Sequence, residues 1–105
     1  MTTKLWALYL IRNVQNRIYT GISVNVQKRF KKHRTNMGAK CLRGRGPLAL
    51  IFVSDCYMCT SCALKTERKV KSLTVIKKLN LNMDVLKKIS GSFDCDTSYC
   101  KNKNY

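Results

Sequence analysis

Two apolar runs, Leu5 to Ile11 and Ile18 to Ile22, flank a short polar interval, Arg12-Asn13-Val14-Gln15-Asn16-Arg17, whose asparagines mark a turn. Strand-length apolar runs joined this way predict a β-hairpin. Each run carries a tyrosine. Side chains alternate along a strand, so a loop with an odd number of residues, as in a register pairing Tyr9 with Tyr19, puts both phenols on one face; an even loop separates them. Gly21 lies two residues past Tyr19, where backbone or ligand can approach closely.

The period then changes. Asn25 is a candidate N-cap, and Val26, Phe30 and His33 recur at helical spacing up to about Asn36. Arg29 and His33, four apart, share a face of this helix near the core boundary. The stretch Met37 to Pro47, with three glycines, a proline and the cations Lys40, Arg43 and Arg45, reads as a loop suited to following a phosphate chain. Leu48 to Ser54 predicts a buried third strand, and Asp55 to Ser61 a connection. Ala63, Thr66, Val70, Leu73 and Ile76 form the stripe of a helix from about Thr60 to Lys78, with Glu67 at its flank and Lys71 on the same face as Glu67. A short final helix over Asn82 to Ile89 is expected to use Val85, Leu86 and Ile89 against the core. Residues 91–105 are polar and unpatterned and read as a mobile tail behind a domain of residues 1–90. The order β-β-α-β-α gives an α+β fold, a small antiparallel sheet covered by helices. Periodicity does not fix the strand order.

Charge narrows the partners. Among 105 residues there are 21 lysines and arginines against five acidic residues, a formal net charge of +16, and no acidic residue precedes Asp55. Such self-repulsion calls for a polyanionic partner, with nucleic acid first. An anionic membrane surface is second, but no long amphipathic helix with a broad apolar face is present to insert. The apolar run Leu48 to Val53 is far short of the roughly 20 residues of a membrane span, and no signal peptide is visible. Six cysteines without a secretory signal point to reduced thiols in an intracellular compartment, cytoplasmic or nuclear, or to metal ligands.

Trp6-Ala7-Leu8-Tyr9, Ile18-Tyr19-Thr20-Gly21-Ile22, Arg29 with His33, and Glu67 with Lys71 come in an order and spacing that resemble the GIY-YIG nuclease family over roughly residues 5 to 80. The likeness is to its small stand-alone members, found in bacteria and large DNA viruses. The first motif departs from the family pattern by reading Ala7-Leu8-Tyr9, and the second by reading Tyr19-Thr20-Gly21; both tyrosines and the glycine are kept. The resemblance implies a three-stranded antiparallel sheet flanked by helices. It also implies a phosphodiester hydrolase in which Glu67 binds one Mg²⁺ or Mn²⁺ ion. Tyr19 serves there as general base or relay, Arg29 contacts the scissile phosphate, His33 hydrogen-bonds the phosphate or moves a proton, and Tyr9 orients water. The basic residues Lys28, Lys32, Lys40, Arg43, Arg45 and Lys71 are candidates for holding the DNA backbone. Singly, each residue has an ordinary reading: tyrosines in a core, a solvated helix arginine, a packed histidine, a helical Glu67–Lys71 pair. The combination, in a basic chain with one glutamate, favours a nuclease.

Cys56, Cys59 and Cys62 show two consecutive two-residue spacings, suited to zinc or an iron–sulfur cluster if Cys41, Cys95 or Cys100 supplies a fourth ligand. Free thiols are the preferred reading of so short a run, with oxidation of Cys95 and Cys100 to a disulfide another. The expectation is thus a metal-dependent DNA endonuclease with little sequence specificity, acting on duplex or branched DNA in repair or recombination, with a protein partner as one means of targeting. The compact form fits a viral origin. A non-catalytic basic nucleic-acid-binding protein, zinc-stapled through Cys56, Cys59 and Cys62, is the alternative.

Overall fold

The computed structural model describes residues 4–34 and 47–102. Three strands form one antiparallel sheet in the order β2-β1-β3, so that β1 (Ala7–Asn13) is central between β2 (Ile18–Ser23) and β3 (Leu48–Val53). The central place suits β1, whose residues Ala7 to Ile11 are all buried, because a strand covered on both faces needs apolar side chains at odd and even positions alike. At the hairpin, Asn13 N–H bonds Arg17 C=O at 3.0 Å, leaving Val14-Gln15-Asn16 as a three-residue loop. Asn16 takes a left-handed φ of 61°, which asparagine tolerates, and the Asn13 carboxamide accepts from the Gln15 and Arg17 amides.

The loop is odd, yet the register differs by two residues from a Tyr9–Tyr19 pairing. Tyr9 faces Gly21, and Ile11 faces Tyr19. A shift of two preserves parity, so both tyrosines still project from one face. The third strand is an edge strand, half-buried rather than buried, with Val53 exposed; its register skips Ile51 against Leu10 and Ile11.

The two sheet faces support separate clusters. Ala7, Tyr9 and Ile11 pack with Val26 and Phe30 of α1 (Val26–Arg34). Asn25 caps α1, its carboxamide accepting from the Lys28 amide at 3.1 Å. Leu8 and Leu10, on the other face, pack with Cys62, Ala63 and Val70 of α2 (Thr60–Lys71) and Leu86 of α4 (Met83–Ser90). The helix expected to reach Lys78 stops at Lys71. Thr74 opens a new short helix, α3 (Val75–Leu79), by accepting from the Lys77 amide, and Ile76 is left 72 % exposed instead of continuing the buried stripe. Asn82, expected as the first residue of the final helix, instead caps α4 by accepting from the Val85 amide at 2.9 Å, and Val85 points outward; Leu86 is buried, with Ile89 partly so.

The polar stretch after Ser90, expected to be mobile, turns back onto the core through residue 102. Cys100 and Asn102 are buried, Lys101 N–H bonds Tyr57 C=O at 3.0 Å, and the Asn102 amide donates to Ser90 C=O at 2.8 Å. Polar composition concealed this packing because the contacts are made by thiols, a carboxamide and backbone rather than by an apolar stripe. No described helix is long and apolar enough to cross a membrane.

Candidate functional site

Three rings meet on the α1 side of the sheet. The centroids of Tyr9 and Tyr19 lie 6.3 Å apart, Tyr9 and His33 6.1 Å, and Tyr19 and His33 5.2 Å with the latter pair edge to face. The strands set the tyrosines by parity. The helix sets His33, seven residues after Val26 and three after Phe30 on the stripe that packs against the sheet. His33 is therefore more deeply seated than a partly packed boundary residue, at 1 % exposure.

The Tyr9 hydroxyl and His33 Nε2 are 3.0 Å apart. Burial, followed by the neighbouring Tyr19, pushes the Tyr9 phenol up to about 12, although the Arg29 guanidinium beside it pulls the other way. Burial lowers His33, and the Arg29 charge adds to that. Both groups are neutral at pH 7. One hydrogen then bridges the pair: the phenol donates when Nε2 is bare and accepts when Nε2 carries the hydrogen.

Gly21, opposite Tyr9, makes this arrangement possible. A Cβ at position 21 would lie 2.5 Å from both Cζ and the hydroxyl oxygen of Tyr9. The phenol thus occupies the space that a side chain on β2 would fill.

Arg29 on α1 stands beside the same phenol and bears on its charge, whereas Glu67 on α2 exerts only the weakest electrostatic influence on it. Glu67 is half-buried, with Oε1 3.9 Å from Lys71 Nζ, which is itself largely exposed. At that distance the pair is a loose i,i+4 contact. The cations Lys28 and Lys32 are exposed on α1. Lys40, Arg43, Arg45 and Cys41 lie outside the described residues. A concavity of about 350 Å³ bounded by Arg12, Val14 and Pro47 sits at the hairpin turn and shares no residue with the ring cluster; in that cluster Tyr9 and His33 are buried, whereas Tyr19, Arg29 and Glu67 are half-buried.

The lowered His33 pKa has a measurable consequence. A group that binds fewer protons in the folded state makes acid favour unfolding. The protein should hold its full His33-linked stability above pH 6.5, lose it as pH falls below that value, and level off once the folded ring is also protonated. Thermal melts from about pH 8 down to about pH 5 should show this fall for the wild type and a flatter profile for His33→Gln. Equal profiles for the two proteins would remove His33 as the source.

On the opposite side of the sheet lies a second constellation. The Sγ atoms of Cys59, Cys62, Cys95 and Cys100 all lie within 4.8 Å of one another. Cys56, expected with Cys59 and Cys62, is not among them: it is exposed, with its thiol 3.9 Å from Val24 C=O. The helix explains the selection. Cys59 and Cys62 straddle the first turn of α2 and share an inward face, whereas Cys56 precedes the extended Tyr57–Met58 segment that bridges to Trp6. The partners Cys95 and Cys100 come from a stretch with no periodic signal, which offered each of them only as a candidate fourth ligand.

The sequence model of the GIY-YIG catalytic domain matches residues 5–80. UPF0213 protein YhbQ of Escherichia coli K12 is 46 % identical over 79 residues, covering 72 % of this chain and 75 % of that protein. A UPF0213 protein of Enterobacter sp. strain 638 is 46 % identical over 81 residues, covering 77 % of this chain and 78 % of its own length. Among solved structures, the solution NMR structure of a UPF0213 protein from Bacillus halodurans is 29 % identical, covers 89 % of this chain and 98 % of that chain, and has a TM-score of 0.46.

Proposed function

This chain belongs to the GIY-YIG catalytic-domain family, and from that premise we propose that it binds DNA through its basic surface and hydrolyses phosphodiester bonds at the tyrosine face. The observation that carries the reading is the meeting of Tyr9, Tyr19 and His33 within 5.2 to 6.3 Å, with the Arg29 guanidinium beside the Tyr9 phenol. By resemblance to the family motifs, Arg29, His33 and Glu67 are taken as counterparts of family positions. The site's electrostatics then distribute the tasks.

Tyr9, with its proton held well above neutral pH, is no base; its task is to orient water and to share a hydrogen with His33. Tyr19 is assigned the attack on the water proton, directly or through the neutral His33 ring whose edge it meets. Arg29 places a guanidinium fork where phosphoryl oxygens gather charge. Glu67, a single half-buried carboxylate, fits Mg²⁺ or Mn²⁺, which keep most of their waters and take one or two protein carboxylates plus substrate phosphate. When bound there the ion would supply Lewis-acid stabilisation of the phosphoryl oxygens. Lys28, Lys32 and Lys71, together with Lys40, Arg43 and Arg45, would follow the backbone of duplex or branched DNA. Repair or recombination is the setting such chemistry serves.

A second reading, a basic nucleic-acid-binding protein that does not cut, is favoured by the cysteine cluster, because a domain fastened by metal needs no catalysis to account for it. One experiment decides. Purified protein is incubated with supercoiled, linear and branched DNA in Mg²⁺, Mn²⁺ or chelator, beside a binding titration. Nicking that chelator abolishes supports hydrolysis; binding without nicking supports the second reading; absence of binding removes both. The affinity should be nearly independent of sequence and fall with salt at a log–log slope of about 0.9 per phosphate contacted. Replacing Lys28 and Lys32 should weaken all DNA alike and flatten that slope.

A further inference from the structure

We propose that Cys59, Cys62, Cys95 and Cys100 hold one structural zinc ion, which fastens residues 91–102 to the start of α2. Four thiolates at about 2.3 Å from a tetrahedral zinc stand about 3.8 Å from one another. The chain places Cys59 Sγ 3.7 Å from Cys95 Sγ, and Cys62 Sγ 3.8 Å from Cys100 Sγ, with all four within 4.8 Å. A cluster of several irons would hold its thiolates farther apart, and a pair of disulfides would bring two sulfurs to about 2.05 Å each. The set is closed, with four protein donors and no open position, which is the pattern of a structural rather than a catalytic zinc.

Local contacts support a metal-bound sulfur. The Cys59 amide donates to Cys100 Sγ at 3.2 Å, a support of the kind that orients metal-binding sulfurs. Cys59 is also the N-cap of α2 and makes no side-chain capping bond, so its sulfur is available to a metal beside the amide-rich helix end. Three of the four are fully buried, and Cys95 is half-buried. Four neutral thiols packed together give little reason for a polar terminal stretch to fold; a shared ion gives a strong one, because the site exists only in the folded chain. The match to the GIY-YIG domain ends at residue 80, so the donors Cys95 and Cys100 lie beyond the family's shared portion. The centre lies on the opposite side of the sheet from the tyrosine face, so its metal content can be read without a cleavage assay.

The full chain, expressed in zinc-supplemented medium and purified without chelator, should carry one zinc per chain by elemental analysis. Cys56→Ser should keep that metal, whereas Cys95→Ser and Cys100→Ser should lose most of it. Exchange into Co²⁺ should give the strong thiolate-to-metal absorption and visible bands of a tetrahedral four-sulfur site. Because a serine variant can fail to fold, the cobalt spectrum of the unaltered protein provides the independent reading of donor number. Stripping the metal should lower Tm by roughly 10 °C or more. Absence of bound metal, iron in place of zinc, loss of metal in Cys56→Ser, or disulfides between these cysteines in freshly purified protein would each overturn the assignment.

Discussion

Glu67→Gln should fold and bind DNA as the wild type does, yet nick supercoiled DNA some 10²- to 10³-fold more slowly, the scale expected when one preorganised electrostatic group is removed. The substitution keeps length, shape and helix propensity while deleting the charge that would hold a divalent ion. Stability should change by only a few tenths of a kcal/mol, since the one ion pair lost, to Lys71 at 3.9 Å, is loose and mostly solvated. DNA affinity should hold or rise, because the change removes the only glutamate from a chain of net charge +16. The measurement is the nicking rate at saturating DNA across Mg²⁺ and Mn²⁺ titrations, with thermal melts as the folding control. A well-folded variant that cuts at the wild-type rate would dismiss Glu67 as the metal ligand.

Gly21→Ala should damage both fold and site. The new methyl would lie 2.5 Å from Cζ and the hydroxyl oxygen of Tyr9. That ring has no room to withdraw: Tyr9 is buried, and its hydroxyl is held 3.0 Å from His33 Nε2. Overpacking of this kind costs about 1–3 kcal/mol, which in a domain of this size lowers Tm by roughly 4–8 °C per kcal/mol. Cleavage should fall further than stability explains, since the displaced phenol breaks the contact with His33. A Tyr9→Phe background tests the cause, as removing the hydroxyl relieves part of the collision. The double variant should recover some of the lost stability, without recovering cleavage, and the cycle isolates the pairwise contact. Gly21→Ala protein as stable and active as the wild type would mean that the phenol does not rest where the strand pairing puts it.

Local signals were legible because they depend on neighbours within a turn or two. Asn25 caps the helix that its position announces, and the odd hairpin loop puts Tyr9 and Tyr19 on one face. The same locality explains the misreadings. The stripe Ala63, Thr66, Val70, Leu73, Ile76 continues at helical spacing past the real end of α2, but Ser72 and the Thr74 cap close one helix and open another, and period alone does not register a break that keeps phase. Val85 satisfies the pattern of α4 yet faces solvent, because the core behind that helix is filled by Leu86 and partly by Ile89 and Met83.

The sequence by itself determined that a hairpin, a helix, a third strand and helices follow in that order, that the two tyrosines share a face once the hairpin loop is odd, and that positive charge is in excess, all of which follow from side-chain period, turn chemistry and composition. Tertiary structure decided the rest. It chose Gly21 as the partner of Tyr9, since register depends on how two strands close against a common core. It buried His33 against the phenol, since a helix stripe does not say which residue the sheet will meet. It also replaced Cys56 by Cys95 and Cys100 in the thiol cluster, because bringing sulfurs 36 and 38 residues apart to 3.7 and 3.8 Å is a property of the folded chain and leaves no mark on local spacing.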